Sequence, residues 1–291
     1  MPSTCITAYP ELDTASTAAR AAGAIIRDFY DRAAASTYEK QDGSPVTDAD
    51  LAADRAIREI LGDRFPADPI LSEEGLDDDA RLQSERCWIV DPLDGTEQFI
   101  HRTGEFDVLI ALVVAGQPVL AAAYQPPTDT LITATLGGGA WLTRGAGGTS
   151  RISFDPAPAT PRLASSKWFG SPENVALVDH IAANLAVGTQ PPAVTGFSPR
   201  IFLTPRVIDV MIGIRPGREQ IMASEWDFAA PDLIIHEAGG RVTNLRGDRY
   251  RYNKQIPRNV GGLIAAADPE THARVLAAVT AVDFPHLRGN R

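Results

Sequence analysis

The sequence is poor in the residues that build disulfide frameworks and zinc sites. Only two cysteines, Cys5 and Cys87, and five histidines occur among its 291 residues. Two cysteines so far apart form neither a disulfide scaffold nor the short ligand spacings of a zinc site. Because such a chain suits a reducing compartment, we expect it to be cytoplasmic.

Long apolar runs and excess positive charge are also missing. No stretch approaches the roughly 18 consecutive apolar residues of a membrane-spanning helix, and MPSTCITAYPELD at the N-terminus has no basic segment followed by an apolar one. The 27 Lys and Arg residues are outnumbered by 37 Asp and Glu residues, which gives a net charge of −10. This balance argues against a nucleic-acid polymer or an anionic membrane as partner, but it is compatible with a small phosphorylated substrate.

What is present is ordinary for a globular enzyme, with 44% hydrophobic and 22% charged residues. A chain of this length can bury a large core in one domain or in two closely packed halves. The proline-rich segment SFDPAPATPR, Ser153–Arg162, predicts a connection between two halves, residues 1–155 and 156–291.

Hydrophobic periodicity predicts both helices and strands. Helical spacing and helix-start signals mark Leu12–Arg32, Thr47–Leu61, Pro172–Ala186, Phe228–Ala238 and a last helix from Asp268 to about Val279. Strand-like runs are Ile70–Ser72, Trp88–Val90, Phe106–Val114, Val119–Tyr124, Thr130–Thr135, Ala140–Thr143, Leu163–Ser166 and Val207–Ile214. Short turns join the strands of the first half, so we expect them to form an antiparallel meander.

Acidic residues stand at the ends of predicted elements, where their side chains can reach a shared cleft. Glu73 follows a strand in PILSEEG, Asp91 and Asp94 close another in WIVDPLDGT, and Asp227 begins a helix in SEWDFAAP. Each feature alone is most often a solvated pair, a surface turn or a helix cap. Their joint occurrence predicts an oxygen-only site for a hard divalent cation, Mg²⁺ above all, because crowded carboxylates repel one another without a cation.

A glycine and a threonine, Gly95 and Thr96, directly follow these acids. If a helix begins there, its free N–H groups can bind a phosphate oxygen, and Gly95 lets the backbone come close to that oxygen. Acids that hold Mg²⁺ beside such a helix start predict metal-assisted phosphoryl chemistry.

Two motifs resemble one known family. WIVDPLDGT together with WDFAAPDLIIHEAGG resembles the inositol monophosphatase superfamily of Mg²⁺-dependent, lithium-sensitive phosphomonoesterases, and the resemblance covers roughly Ala15 to Asp268. It implies an α+β fold, a layered αβαβα sandwich in which an α+β half precedes an α/β half. It also implies two or three Mg²⁺ ions per active site and a monomer or homodimer.

The resemblance assigns metal ligands to matching positions. It implies that Glu73 and Asp91 share the first Mg²⁺ with the carbonyl of Leu93. It further implies that Asp91, Asp94 and Asp227 hold the second Mg²⁺.

The resemblance also implies catalytic roles. Asp50 and Thr96 would position the attacking water, with Glu73 near it, and Gly95 and Thr96 would receive the phosphate. No covalent nucleophile is needed, since two metal ions can activate water and stabilise the leaving oxygen.

Several stretches resemble the 3′(2′),5′-bisphosphate nucleotidase branch of the superfamily. They are DGSPVTDAD, PILSEEG, DPLDGTEQFIHRTGEFDVLIALV and RYN at Arg251–Asn253, and Gln98 stands where inositol phosphatases usually carry asparagine. This implies removal of the 3′-phosphate from adenosine 3′,5′-bisphosphate. Inositol phosphate, another sugar phosphate or histidinol phosphate is the alternative substrate, and a non-catalytic metal- or nucleotide-binding regulator is the alternative class of protein.

Fewer residues indicate where the substrate binds. GFSPR, Gly196–Arg200, stands where the nucleotidases carry a Gly-Ser-Ser-Leu-Lys-like segment that faces the substrate. Ser198 and Arg200 keep a hydroxyl and a cation, although the residues beside them depart from the pattern. Arg200 can fork onto a second phosphate or be an ordinary surface arginine. Ser166 and Lys167, at the end of a predicted strand, are further candidates for the nucleotide side.

Overall fold

The computed structural model describes residues 9–40, 43–77, 79–165, 172–187, 197–203, 208–214 and 221–282. The first half contains, in chain order, α1 (Pro10–Arg32), β1 (Thr37–Glu39), β2 (Pro45–Thr47), α2 (Asp48–Arg64), β3 (Ile70–Ser72), β4 (Arg86–Asp94), α3 (Thr96–Ile100), β5 (Asp107–Val114), β6 (Gln117–Gln125), β7 (Thr130–Thr135), β8 (Gly139–Arg144) and β9 (Thr149–Ile152). The second half contains β10 (Leu163–Ser165), α4 (Pro172–Asn184), β11 (Val210–Gly213), β12 (Ile221–Ser224), α5 (Glu225–Glu237), β13 (Arg241–Thr243), β14 (Arg258–Val260), β15 (Leu263–Ala266) and α6 (Pro269–Ala281).

Short-range capping explains where three helices begin. Thr47 and Asp50 form a reciprocal capping box at the start of α2, and the Asp268 carboxylate accepts a hydrogen bond from the backbone of Thr271 at the start of α6. A second capping box joins Ser224 to Asp227. Helix α5 therefore begins three residues before the predicted Phe228, and Asp227 lies within its first turn.

Seven strands form one sheet in the order β3-β4-β5-β6-β7-β8-β9. Strands β4 to β9 make the predicted antiparallel meander. The expectation was wrong for β3, which runs parallel to β4 with Ser72 opposite Val90, because the chain crosses back between them. Strand β9 was not predicted, since its residues are largely exposed and show no apolar alternation.

Alternate residues of the central strand β5 enter two different cores, which explains its unbroken apolar sequence. Helices α1 and α2 cover one face of the sheet and α5 covers the other. Val108, Ile110 and Leu112 belong to the core under α1 and α2, whereas Leu109, Ala111 and Val113 belong to the core under α5. Full burial of each Leu or Ile contributes roughly 1.5–3 kcal/mol, so both faces hold their helices firmly.

A second sheet, in the order β10-β11-β15-β13, lies beyond α5. Helices α4 and α6 pack on its far side around Val178, Val275 and Val279. The layers thus alternate as helices, seven-stranded sheet, α5, four-stranded sheet and helices, which confirms the expected αβαβα sandwich. The predicted boundary between residues 155 and 156 falls in the segment between β9 and β10 and stays a prediction.

Several predicted element bounds need correction. The strand predicted at 207–214 is β11, Val210–Gly213, and β12 to β15 were not predicted. Strands β1 and β2, which were not predicted, pair as an antiparallel hairpin in which Lys40 N donates to Ser44 O at 2.8 Å. Among the described helices, none is long and apolar enough to cross a membrane.

Candidate metal centre

Three carboxylates from separate segments of the chain converge. Glu73, Asp91 and Asp227 each place an oxygen within 4.8 Å of the others. Side chains alternate along a strand, so Asp91 shares a face of β4 with Cys87 and Ile89, which belong to the core under α5. The seven-stranded sheet thereby presents Asp91 to the helix that carries Asp227.

The electrostatics of this cluster favour a bound cation. Burial raises the pKa of Asp91 well above its ordinary value, and the charges of Glu73, Asp94 and Asp227 raise it further. Burial and then Glu73 raise the pKa of Asp227 to about 7. Burial, Asp227 and Asp107 likewise raise the pKa of Asp94. An oxygen-only, negatively charged site of this kind fits a hard divalent cation, because the cation would offset the repulsion.

Backbone N–H groups orient two of the three acids. Leu93 N donates to Asp91 Oδ1 at 3.0 Å, and Ser224 N donates to Asp227 Oδ2 at 2.7 Å. The capping box that starts α5 thus also orients a carboxylate of the cluster. Asp227 serves both as a capping residue and as a member of this site, two roles that the sequence presented as alternatives.

Asp94 lies at the end of β4, beyond an irregularity in the pairing of β4 with β5. Within the described part of the chain, it is outside the group of three convergent acids. Its charge nevertheless interacts with those of Asp227 and Glu73. The structure therefore places Asp94 beside the three acids, in electrostatic range of a cation held there.

Asp50 and Thr96 are joined directly. Thr96 Oγ1 lies 3.0 Å from Asp50 Oδ1 and 3.3 Å from the carbonyl oxygen of Leu93. The other oxygen of Asp50 accepts hydrogen bonds from the backbone and the hydroxyl of Thr47, at 2.9 and 2.5 Å. Burial raises the pKa of Asp50, while these hydrogen bonds oppose the shift by favouring its carboxylate form.

Gly95 forms the turn between β4 and α3, as the sequence predicts. Its φ of 96° lies in the left-handed region that favours glycine, and a Cβ atom there would come within 2.8 Å of the carbonyl oxygen of Glu105. A larger residue would therefore displace the turn that connects the carboxylates to Thr96. The expected helix start is present, although α3 spans only Thr96–Ile100.

Lys40 was missed by the sequence reasoning. From the β1–β2 hairpin, its Nζ lies 2.6 Å from Glu73 Oε1 and 2.6 Å from Glu74 Oε1. Burial lowers the pKa of Lys40, but the two carboxylates outweigh burial and raise it above its ordinary value. Burial raises the pKa of Glu74 to about 7 against the opposing effect of Lys40. Nothing local in the sequence marks a lysine that reaches acids 33 and 34 residues away.

Arg200 and Ser198 meet a residue that was not predicted, Asp107 at the start of β5. Arg200 Nη2 lies 2.8 Å and Ser198 Oγ lies 3.2 Å from Asp107 Oδ2. Asp107 is buried and stands opposite Asp94 in the β4–β5 pairing. The predicted substrate-side arginine thus reaches the edge of the acidic cluster. An acid that opens an otherwise apolar strand was the available signal for Asp107.

A family comparison agrees with this arrangement. The family model described as the inositol monophosphatase family matches residues 9–283. The chain belongs to this family.

Relatives within the inositol monophosphatase family carry different names. A protein named 3′(2′),5′-bisphosphate nucleotidase CysQ, from Aggregatibacter actinomycetemcomitans, is 34% identical over 81% of this chain and 85% of its own. A histidinol-phosphatase from Chlorobaculum parvum is 30% identical over 82% of this chain and 87% of its own. The crystal structure of CysQ from Bacteroides thetaiotaomicron superposes with a TM-score of 0.73 and 30% identity, covering 89% of this chain and 97% of that one. The chain is thus a member of a phosphatase family. The nucleotidase and the histidinol-phosphatase have similar sequence identities to this chain.

Most of the predicted site residues of this family member lie in one region. The structure brings together Glu73, Asp91 and Asp227, with Leu93, Asp94, Asp50, Gly95 and Thr96 linked to them by the contacts above. Ser166, Lys167 and Gly196 lie outside the described residues.

Proposed function

We propose that the protein is a Mg²⁺-dependent phosphomonoesterase that removes the 3′-phosphate of adenosine 3′,5′-bisphosphate with an activated water molecule. The observation that carries the proposal is the convergence of Glu73, Asp91 and Asp227. A hydroxyl–carboxylate pair, Thr96 and Asp50, is linked to them through Leu93. Membership of a phosphatase family supports the reaction class.

Each predicted ligand has a place in this proposal. Glu73 and Asp91 would hold one Mg²⁺ with the carbonyl of Leu93, and Asp91, Asp94 and Asp227 would hold another. The oxygen-only donor set and the raised pKa values of the aspartates support a hard divalent cation at this site. When bound, Mg²⁺ supplies Lewis-acid stabilisation of the charge that develops on the phosphoryl oxygens.

Asp50 and Thr96 would orient the attacking water. If the Thr96 hydroxyl donates to Asp50 at 3.0 Å, its lone pairs are free to accept a hydrogen bond from a water molecule. A proton passed from that water to Thr96 would be balanced by transfer of the Thr96 proton to Asp50. Asp50 is itself fixed by Thr47, so the hydroxyl is held in one orientation. The backbone at Gly95 and Thr96 would receive the phosphate, since the first N–H groups of a helix have no partner within the helix.

The nucleotide substrate is proposed from likeness to relatives and from local motifs. The relative named CysQ is called a 3′(2′),5′-bisphosphate nucleotidase. Arg200 and Ser198 are proposed to face the second phosphate. Arg200 Nη2 already contacts Asp107, so the remaining donors of its guanidinium would bind the second phosphate. Ser166 and Lys167 stay proposed contacts on the nucleotide side.

A second substrate class has an observation in its favour. One relative of comparable identity is named histidinol-phosphatase, so histidinol phosphate, inositol phosphate or another sugar phosphate is the alternative. A non-catalytic regulator is disfavoured by the intact contact between Asp50 and Thr96. Lithium sensitivity, a cytoplasmic location and a monomeric or homodimeric state remain predictions.

Phosphate release from a panel of substrates tests the proposal. The panel is adenosine 3′,5′-bisphosphate, inositol 1-phosphate, histidinol phosphate and fructose 1,6-bisphosphate, each with Mg²⁺ and with a chelator. We expect the highest kcat/KM for the nucleotide and no release with the chelator. A higher kcat/KM for any other substrate would reject the nucleotide assignment. Failure to release phosphate from every substrate would favour the regulator.

A further inference from the structure

Helix α2 presents a row of charged side chains towards the ends of β3 and β4. Asp50, Asp54 and Arg58 are spaced four residues apart, so they lie above one another on one side of the helix. Asp50 contacts Thr96, as described above. The next two members of this row, Asp54 and Arg58, contact the turn that carries Glu73, and the proposed reaction does not use them.

Asp54 holds the residue that precedes Glu73. Ser72 Oγ donates to Asp54 Oδ1 at 2.5 Å, and both residues are buried. Leu71 belongs to the core under α5, so the alternation of side chains along β3 turns Ser72 towards α2. The hydrogen bond thus fixes the end of β3 from the face opposite to the acidic cluster.

The backbone of Glu73 is fixed at the same point by the sheet. Glu73 N donates to the carbonyl oxygen of Val90 at 3.2 Å, which extends the parallel pairing of Ser72 with Val90. Asp91, the neighbour of Val90, belongs to the acidic cluster. The Asp54–Ser72 hydrogen bond and this backbone bond together set the spacing between Glu73 and Asp91.

Arg58 completes the contact on the far side of the turn. Its Nε donates to Asp54 Oδ2 at 2.9 Å, which leaves the other oxygen of Asp54 for Ser72. The guanidinium lies directly against the backbone of Gly75, where the Cβ atom of any larger residue would overlap it. Arg58 therefore supports Asp54 and packs on the turn two residues after Glu73.

We propose that Asp54 is a positioning residue that sets the Glu73 carboxylate for cation binding through Ser72, with Arg58 fixing the orientation of Asp54. The inference rests on the proposed Mg²⁺ site. Because Asp54 is not among the proposed cation ligands or substrate contacts, its effect would reach the site through the position of one backbone turn. Loss of this contact lowers cation affinity more than it lowers stability, since hydrogen-bonded supports of ligands commonly change metal affinity by about 10–100-fold.

Calorimetric titration of the metal-free protein with MgCl₂ tests the inference without using activity. We expect Ser72→Ala, which removes only the hydroxyl, to weaken Mg²⁺ binding about tenfold. Ser72→Thr keeps a hydroxyl and is expected to restore the affinity. Asp54→Asn keeps an acceptor for Ser72 but loses the charge that holds Arg58, so we expect an intermediate loss. The Mg²⁺ concentration for half-maximal phosphate release should rise by the same factors.

Thr243→Val is the matched control. Thr243 is buried like Ser72, and its hydroxyl lies 2.8 Å from the carbonyl oxygen of Asn244 and 2.8 Å from His272 Nε2, in the four-stranded sheet. We expect this variant to lower the Tm without changing Mg²⁺ affinity. If Ser72→Ala behaves like Thr243→Val, Asp54 is a structural residue and the inference is overturned. If the wild-type protein binds no Mg²⁺, the inference and the proposed function both fail.

Discussion

Thr96 and Asp50 lie in hydrogen-bond contact across two helix starts, with 3.0 Å between Oγ1 and Oδ1. The contact joins the first residue of α3 to the first turn of α2, and Asp50 is also the capping partner of Thr47. Asp50 therefore takes part both in the local cap of α2 and in a long-range contact with the turn that is proposed to bind phosphate. Removing the Thr96 hydroxyl breaks the long-range link and leaves the capping contact of Asp50 with Thr47 in place.

Thr96→Val removes the hydroxyl and keeps the shape of the side chain. We expect kcat for phosphate release to fall about 10²–10⁴-fold, because the proposed water loses the group that orients and deprotonates it. Mg²⁺ affinity should change little, since Thr96 is not a proposed ligand. Thr96→Ser is the control and should retain most of the activity. Wild-type kcat in Thr96→Val would exclude the proposed role.

Asp94→Asn removes one charge from a half-buried position beside Asp227. We expect Mg²⁺-dependent turnover to be abolished while the circular dichroism spectrum stays that of the wild type, because the change affects cation binding rather than core packing. The Tm without Mg²⁺ should rise or stay constant, since repulsion with Asp227 and Asp107 is relieved. Activity near the wild-type value would contradict the metal assignment.

The stabilising effect of Mg²⁺ should depend on pH. Burial and neighbouring charges raise the pKa of Asp227 to about 7 in the metal-free protein, above the value of about 3.9 expected when unfolded. The folded state therefore binds this proton more tightly. The stability this proton adds is fully present below about pH 4 and is lost as the pH rises to 7. Mg²⁺ needs the deprotonated carboxylate, so we expect a larger Mg²⁺-induced rise in Tm at pH 8 than at pH 6.

Differential scanning calorimetry at the two pH values, with and without MgCl₂, measures this difference. Choline chloride at matched ionic strength separates a specific effect from screening of the net negative charge. An equal rise in Tm at pH 6 and pH 8 would count against proton–cation competition at Asp227.

Lys40→Gln should lower the free energy of unfolding of the metal-free protein and increase the stabilisation that added Mg²⁺ provides. The variant removes the cation that bridges Glu73 and Glu74, whose charges then repel one another. We expect unfolding to cost about 1 kcal/mol less, because these groups are partly exposed and solvent screens their charges. Denaturant titration with and without Mg²⁺ checks both effects.

Arg27→Gln is the control for Lys40→Gln. It removes a cation from an exposed pair with Asp31, and its stability should stay within about 0.5 kcal/mol of wild type. Equal effects of the two substitutions would show that the Lys40 bridge contributes nothing specific.

Arg81→Ala tests a buried arginine that joins the segment between β3 and β4 to residues 253–255. Arg81 is 2% exposed and donates to Asp77, to Asn253 Oδ1 and to the carbonyl oxygens of Lys254 and Gln255. Its loss removes these hydrogen bonds and the packing of a buried side chain, so we expect a destabilisation of about 3 kcal/mol in urea unfolding.

The comparison for Arg81→Ala is Arg86→Ala. Arg86 also binds a carboxylate, that of Asp68, but its side chain is 37% exposed. We expect the free energy of unfolding of this variant to fall by about 1 kcal/mol or less. Similar losses in the two variants would show that burial of Arg81 adds nothing.

The sequence predicted those structural features that depend on residues close together in the chain. The helix-start signal at Thr47, the glycine at Gly95 and the apolar run of β5 all act over a few positions, and the structure confirms each of them. The acids Glu73 and Asp227 were found because each stands at an element end and matches a motif. Their convergence is a long-range property that only the packing of α5 on the sheet establishes.

Contacts between distant segments could not be predicted from periodicity. Lys40 reaches Glu73 across 33 residues, and Arg200 reaches Asp107 across 93. Neither side chain lies in a segment whose pattern demands a partner of opposite charge. The parallel pairing of β3 with β4 was not predicted for a similar reason. The direction of the connection between two strands does not change the alternation of apolar residues within them.

The packing of α5 between the two sheets has a consequence for folding. Asp227 follows Glu73 and Asp91 late in the chain, and its helix is fixed only when both sheets have closed around it. A chain that has been synthesised only as far as β11 therefore holds two of the three acids and no complete cation site. We expect Mg²⁺ to bind only molecules in which α5 has docked between the two sheets, so that the cation stabilises the complete fold over partly assembled states.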